Sequence, residues 1–315
     1  MTGGRAAAAP PGDLLRDWSL TVDGEPWSGH MSTVWPVRDG RGRERVLKVT
    51  DAHHPPTGEA AALRAWAEVG APVVDVLDSR GPALLLDRLD ATRDLASVPD
   101  EAEASGALAD VLAGLRGVRA PAEVPRLADE LRRMSASIRT HREQVPQLLT
   151  AEADRALGVL ADLVVELEDP AAELELLHLD LHYLNVLAPC GQDGWVAIDP
   201  LPHAGFREVE VVAALRNRWD DATADGAPDA ALRRRLEVLC ERAGSTGTVP
   251  VSWPRRSRWT TCCGWCRATP ARCSCRPTTC SPVGDRPSGR WCRGAAPGRA
   301  TTARLTGHAP GRGTR

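Results

Sequence analysis

Leu176-Leu177-His178-Leu179-Asp180-Leu181-His182-Tyr183-Leu184-Asn185-Val186-Leu187, followed shortly by Trp195-Val196-Ala197-Ile198-Asp199-Pro200, is the stretch that decides the fold. Its apolar runs read as short strands, and between and beside them stand two carboxylates, a carboxamide and two imidazoles. Such a concentration of polar groups is costly in a core unless a cation or a reaction occupies it. Phosphoryl transfer calls for this kind of set: cations on the phosphate oxygens, oxygen ligands to hold them, and a group that orients the attacking hydroxyl.

Upstream of this stretch the pattern is helical. Leu108, Val111, Leu112 and Leu115 fall at helical spacing, Leu127, Leu131, Met134 and Ile138 mark a second helix, and Leu157, Leu160, Val164 and Leu167 a third. These stripes are read as core faces. Further back the chain becomes strand-rich. Trp18 to Val22 alternates, Asp23-Gly24 signals a turn, Thr33 to Val37 resumes extended structure, and Arg45-Val46-Leu47-Lys48-Val49 reads as a strand.

Lys48 is the only lysine beside 38 arginines, which suggests a place that wants a compact point charge. The loop Ser28-Gly29-His30-Met31-Ser32-Thr33 reads either as a phosphate-contacting backbone, with Ser32 at its end, or as an ordinary hairpin. Glu59 opens a helix that stops at Gly70-Ala71-Pro72. Short apolar strands then flank residues 78–82, and Arg88-Leu89-Asp90 leaves the sheet as a connector. A last helix is expected over residues 209–219. The order predicts an α+β fold with two lobes.

Composition bounds the rest. At 315 residues the chain suits two lobes, and a net charge of -3 implies no nucleic-acid or membrane partner. The near-balance conceals two unlike regions: 26 basic against 41 acidic residues through Thr248, then 13 against one. No stretch reaches membrane-spanning length and the start has no signal-peptide core, so a cytoplasmic location is expected. Only Cys190 and Cys240 lie in the body, with seven more between Cys262 and Cys292.

His178-x-Asp180 with Asn185, then Asp199 fourteen residues later, resembles the catalytic loop and metal-binding Asp of the protein-kinase-like fold. His182 brings it nearer to the aminoglycoside phosphotransferases. Further matches point to their streptomycin 6-kinase and hydroxyurea-resistance kinase branch: Arg45 to Val49, Ala61-Ala62-Leu63-Arg64-Ala65-Trp66, Ala83-Leu84-Leu85-Leu86-Asp87-Arg88-Leu89, Leu95-Ala96-Ser97-Val98, and Ala213 to Asp220. The resemblance covers residues 18–240, about three-quarters of the chain.

It implies a small β-rich N-lobe (18–90), a mainly helical C-lobe (91–248), ATP and Mg2+ as cofactors, and a monomer acting on a small hydroxylated antibiotic. Asp180 would orient or deprotonate the acceptor hydroxyl, and Asn185 and Asp199 would hold Mg2+. Lys48 would contact phosphates with Glu59 as its ion partner, Arg88, Leu89 and Asp90 would form the hinge near adenine, and Glu208, Glu210, Asp220 and Asp221 would approach the substrate. Two departures stand out, because Leu179 and Leu184 occupy loop positions that are often Gly in the wider family. A non-catalytic nucleotide-binding protein is the alternative.

From about Gly244 the vocabulary changes to Trp, Cys, Arg, Pro and Thr. Cys263-x-x-Cys266 and Cys273-x-Cys275 have zinc-like spacing, but their flanks lack strand or helix pattern. Taking each codon's third base with the next codon's first two gives Asp from Trp259-Thr260, Leu from Cys262-Cys263 and Val from Trp265-Cys266, part of an apolar run. The expectation is therefore a frameshifted, disordered tail over 249–315, with a flexible N-terminus over 1–17.

Overall fold

The computed structural model describes residues 10–29, 31–51, 58–144, 150–224 and 226–242. It begins with a helix, α1 (Gly12–Asp17), where the sequence suggested a flexible start. Leu14 and Leu15, with Trp18 just beyond, pack on an apolar cluster of Leu20, Trp35, Val37, Leu47, Ala83 and Leu85, and that burial orders the segment. The expected shifted tail from Val249 onward, with its cysteines, lies outside the described residues.

The N-terminal strands are β1 (Thr21–Val22), β2 (Trp27–Ser28), β3 (Ser32–Arg38), β4 (Glu44–Thr50), β5 (Val76–Arg80) and β6 (Ala83–Asp87). They form an antiparallel sheet in the order β1-β3-β4-β6-β5, with β2 pairing the other end of β3. Strand alternation gives the sheet two faces. Leu47 and Val49 of β4 join Ala83 and Leu85 of β6 on the α1 side. Lys48, directly across from Leu84, points to the other face. That face is covered by α2 (Glu59–Glu68), whose Ala62, Leu63 and Trp66 pack with Leu84 and Leu86.

Gly58 sets where α2 begins. Its φ is +78°, and a Cβ there would sit 3.0 Å from Val124 Cγ2, so a glycine lets the chain turn in against its neighbour and places Glu59 in the first helical turn.

Beyond β6 the chain crosses from one sheet to another. β7 (Leu89–Asp94) pairs with β9 (Val186–Pro189), which pairs with β10 (Val196–Ala197), while β8 (Glu175–Leu177) pairs with β11 (His203–Gly205). Between β7 and β8 come α3 (Glu101–Gly114), α4 (Leu127–Gln144) and α5 (Thr150–Leu167), and after β11 come α6 (Val211–Arg216), α7 (Trp219–Thr223) and α8 (Pro228–Arg242). Asp100 caps α3 by accepting from the backbone N–H groups of Ala102 and Glu103 at 2.8 and 3.1 Å. The last expected helix is thus two, because Arg218 adopts φ +51° and interrupts it.

One apolar core runs from Trp66 and Leu86 through Leu108 and Leu112 of α3 to Tyr183, Val186 and, on α8, Leu239. A second, of Leu127, Leu131, Leu167 and Leu177, joins α4, α5 and β8. The loop that carries Asp180 therefore hangs between two strands that are each buried in a core.

α8 reaches the end of α6 through one buried cation. Arg235, only 2% exposed, donates to the carbonyls of Ala214 (3.4 Å), Asn217 (2.6 Å) and Arg218 (3.3 Å) and to Glu101 (2.8 Å). It thereby closes the C-terminus of α6. Replacing it with Met should lower unfolding free energy in urea by about 3 kcal/mol, since it strips charge-assisted bonds from buried carbonyls.

Candidate active site

His178, Asp180, His182 and Asn185 lie on the eight-residue turn between β8 and β9, and Asp199 follows β10. His178 is completely buried, stacked beside Trp66 with ring centroids 6.1 Å apart. Burial drives its pKa down to about 4, so the ring is neutral. One tautomer fits its partners: Nε2–H donates to the Ile198 carbonyl at 3.0 Å, and Nδ1 accepts from the Asp180 N–H at 3.3 Å. The imidazole thus fastens the start of the loop to the segment that carries Asp199.

The loop is strained where the polar groups need it to be. Leu179 has φ +55° and Asp199 φ +60°, left-handed conformations that cost a non-glycine residue. This accounts for the glycine that the wider family often has at the Leu179 position. Leu184, the other departure, sits in a 3-10 turn (Tyr183–Asn185) and is 44% exposed beside Asn185.

Support for the strained turn comes from Glu210, whose carboxylate accepts from the Leu179 N–H at 3.0 Å. Glu210 was expected at the substrate, and the structure corrects this: the residue is 4% exposed and turned in against the loop backbone. Burial pushes its pKa up to about 7, against the downward pull of the backbone N–H groups at Leu179 and His178 and of Arg116. Glu175, also nearby, adds to the upward shift.

Asp180 is flanked on both oxygens. Asn185 Nδ2 lies 3.3 Å from Oδ2 and donates to the Asp180 carbonyl at 2.9 Å. His182 Nε2 stands 3.7 Å from Oδ2, and Arg216 Nη2 on α6 stands 3.7 Å from Oδ1. Burial lowers the His182 pKa, with the nearby Asp180 charge opposing it. Asn185 uses its amide N–H groups on Asp180, which leaves its amide oxygen as the acceptor for a cation.

Lys48 enters from the N-terminal sheet. Its ammonium is 2.6 Å from Glu59 Oε1 and in direct contact with Asp199 Oδ1. Burial would push the ammonium pKa down, but the Asp199 and Glu59 charges outweigh it and hold the group protonated. Asp199 is likewise held ionised, since the Lys48 ammonium overcomes the desolvation of the carboxylate by its surroundings. Lys48 and Glu59 are each 7% exposed, whereas 49% of the Asp199 side chain remains open. The open carboxylate and the Asn185 amide oxygen are hard oxygen donors. They suit a Mg2+ that completes its shell with phosphate and water, since Mg2+ binds through one or two such ligands. Among the described residues no group of three or more His, Cys, Asp or Glu could hold a metal.

The remaining expected residues fall at the edges. Ser32 opens β3, where its carbonyl accepts from the Gly29 N–H at 2.8 Å to close a hairpin. Arg88 is tied back to Asp23 at 2.7 Å. Leu89 and Asp90 start β7 against Pro189 and Ala188, so residues 88–90 are the crossing between sheets. Asp90 accepts from the Thr92 N–H and hydroxyl at 3.0 and 2.6 Å. Glu208 lies in the turn before α6 near Arg207, while Asp220 and Asp221 are exposed on α7, with Asp221 paired to Arg218.

Three contributors escaped the sequence reading. Tyr183 is buried, its hydroxyl 2.7 Å from Ser105 Oγ and its ring 5.6 Å from the guanidinium carbons of both Arg218 and Arg235. Arg235 and Arg216 are the others. In a chain with 38 arginines, nothing in the identity of a single Arg marks it out.

The loop-borne Asp180 and Asn185, with Asp199 and the buried Lys48, are the side chains of a phosphotransferase site, and the chain belongs to the aminoglycoside/hydroxyurea antibiotic resistance kinase family, whose model matches residues 17–249. It is 38% identical over 247 residues to a streptomycin 6-kinase of Streptomyces glaucescens, covering 76% of this chain and 77% of that one. It is also 37% identical over 211 residues to a hydroxyurea phosphotransferase of Kitasatospora aureofaciens, covering 65% and 59%. A solved aminoglycoside-3'-phosphotransferase of type VIII shares the fold, with a TM-score of 0.50, 20% identity and coverage of 80% and 93%. The kinase relatives do not favour a non-catalytic reading.

The Glu210 environment predicts a pH signature. Its folded pKa is raised above the ordinary carboxyl value, so the contribution of Glu210 to stability falls as pH rises from about 4.5 to about 7 and is then level. Glu210→Gln keeps an acceptor for the Leu179 N–H and carries no charge. In urea titrations the variant should match wild type near pH 4.5, apart from any constant offset, and gain on it by about 3 kcal/mol by pH 8. A difference independent of pH would contradict this.

Proposed function

We propose that the protein is an ATP- and Mg2+-dependent O-phosphotransferase. Its acceptor is the hydroxyl of a small antibiotic: streptomycin, a related aminoglycoside, or hydroxyurea. The observation that carries the reading is Lys48 on β4 in contact with Asp199 beyond β10, on the segment whose Ile198 N–H donates to the Asn185 carbonyl at 2.9 Å.

In this reading Lys48 binds the α- and β-phosphates, the β2–β3 hairpin ending at Ser32 covers them, and the crossing at Arg88, Leu89 and Asp90 borders adenine. Asn185 and Asp199 hold Mg2+, which when bound offsets charge on the phosphate oxygens. Asp180 orients the acceptor hydroxyl and takes its proton as the oxygen–phosphorus bond forms. The bond from the γ-phosphorus to its bridging oxygen breaks, and its electron pair departs with ADP. Asn185 keeps the Asp180 carboxylate aimed, with the His182 ring beside it.

Glu208, Asp220 and Asp221 lie on and before the exposed end of α6–α7, and their carboxylates would attract a cationic aminoglycoside. Hydroxyurea offers no such charge, so the acidic rim favours streptomycin. The enzyme acts as a cytoplasmic monomer on diffusible acceptors. Among the described residues no helix is long and apolar enough to cross a membrane.

The test is phosphate transfer from γ-labelled ATP to streptomycin and, separately, to hydroxyurea, with Mg2+ present. Streptomycin should be phosphorylated, and Asp180→Asn should lower turnover by roughly 10²–10⁴-fold, the range for loss of a general base. Transfer to neither acceptor, or an undiminished Asp180→Asn, would refute the assignment.

A further inference from the structure

The Asp180 side of the site has a cation that the roles above leave unused. Arg216 is the last residue of α6, and its guanidinium reaches Asp180 Oδ1 at 3.7 Å, on the carboxylate oxygen away from Asn185 and His182. Two features hold it there. Val211, Ala213 and Ala214 bury α6 in the core, and Arg235 binds the carbonyls of Ala214, Asn217 and Arg218 on either side of it. Only 20% of the Arg216 side chain is exposed.

At 3.7 Å the contact with Asp180 is longer than a hydrogen bond. The guanidinium thus stands beside the base, where an anion approaching Asp180 would meet it. Charge argues that such an anion needs it. Lys48 already faces two carboxylates, Glu59 and Asp199, and the buried imidazoles at 178 and 182 favour their neutral forms. Without Arg216 a phosphoryl group moving toward Asp180 would meet uncompensated negative charge on that side.

We propose that Arg216 is a catalytic residue, a cation supplied by the end of α6 that binds the equatorial oxygens of the phosphoryl group as it passes to the acceptor beside Asp180. This rests on the phosphotransferase reading. The acceptor oxygen bonds to the γ-phosphorus, its proton goes to Asp180, and the bridging bond breaks with its electron pair on ADP. Arg216 neither gains nor loses a proton; it offsets charge that is greatest in transit.

The full chain and its Arg216→Ala and Arg216→Lys variants are compared in two measurements. In steady-state transfer from ATP to streptomycin, Arg216→Ala should lose roughly 10²–10³-fold in kcat, with KM for ATP and for acceptor changed less than about threefold. Arg216→Lys should recover part of the loss, as should guanidinium ion added to the Ala variant. A purely structural ion pair would instead alter KM or melting temperature and would not respond to guanidinium.

In calorimetry with Mg2+, wild type should bind ADP plus aluminium fluoride, which mimics the transferring phosphoryl group, more tightly than ADP alone. Arg216→Ala should lose that gain and keep its ADP affinity. This second measurement needs no acceptor. A wild type that shows the gain but phosphorylates nothing would sink the acceptor assignment and leave Arg216 to be judged by the calorimetry. Unchanged kcat, or an undiminished fluoride gain in Arg216→Ala, would overturn the proposal, and a wild type that binds no ADP would overturn both.

Discussion

The site depends on one buried ammonium between two carboxylates. Lys48 comes from the second long strand of the N-terminal sheet, Glu59 from the first turn of the helix covering it, and Asp199 from a strand end 151 residues further along the chain. Neither Lys48 nor Glu59 could be buried without the other, because an unpaired charge in that setting is costly. Asp199 differs: it contacts the same ammonium yet keeps about half its side chain open. Lys48 and Glu59 thus form an ion pair inside the fold, with the half-open Asp199 carboxylate at its edge. The same lysine joins the N-terminal sheet to the segment beyond β10 that carries Asp199.

A second constraint acts on the loop itself. Leu179 turns through a left-handed conformation beside Asp180, and this strain is supported by groups buried in the fold: Glu210 on its backbone, His178 between the loop and Ile198, and Tyr183 fixed through Ser105. Arg235 on α8 then ties the end of α6, and with it Arg216, to the same assembly. Residues within a few ångströms of the reacting atoms are therefore held by elements from β4 to α8, and changes far from the loop should be felt there.

Much of this was legible in the sequence. The spacing of Asp180, Asn185 and Asp199 and the solitary lysine were visible because these residue types are rare where they stand, and the helical stripes of α3 to α5 followed from their period. What the sequence hid has physical causes. Glu210 and Glu208 look alike as letters, and only packing shows that one lies under Leu179 while the other edges the surface. Leu14 and Leu15 form a helix because an apolar patch on the sheet is there to receive them, which local pattern does not disclose. Arg216 and Arg235 were lost among many arginines. His182 marked the family resemblance in the sequence, and only the fold shows that its ring stands beside the Asp180 carboxylate.

The central claim is that Lys48 and Asp199 make one nucleotide site from two sheets, with Asp199 as the metal's carboxylate. Calorimetric titration of the full chain with ADP, with and without Mg2+, tests it most directly. Wild type should bind ADP more tightly with Mg2+, Asp199→Asn should lose that enhancement, and Asp180→Asn should keep it. Equal ADP affinity with and without Mg2+ in wild type, or an enhancement that survives in Asp199→Asn, would contradict the account.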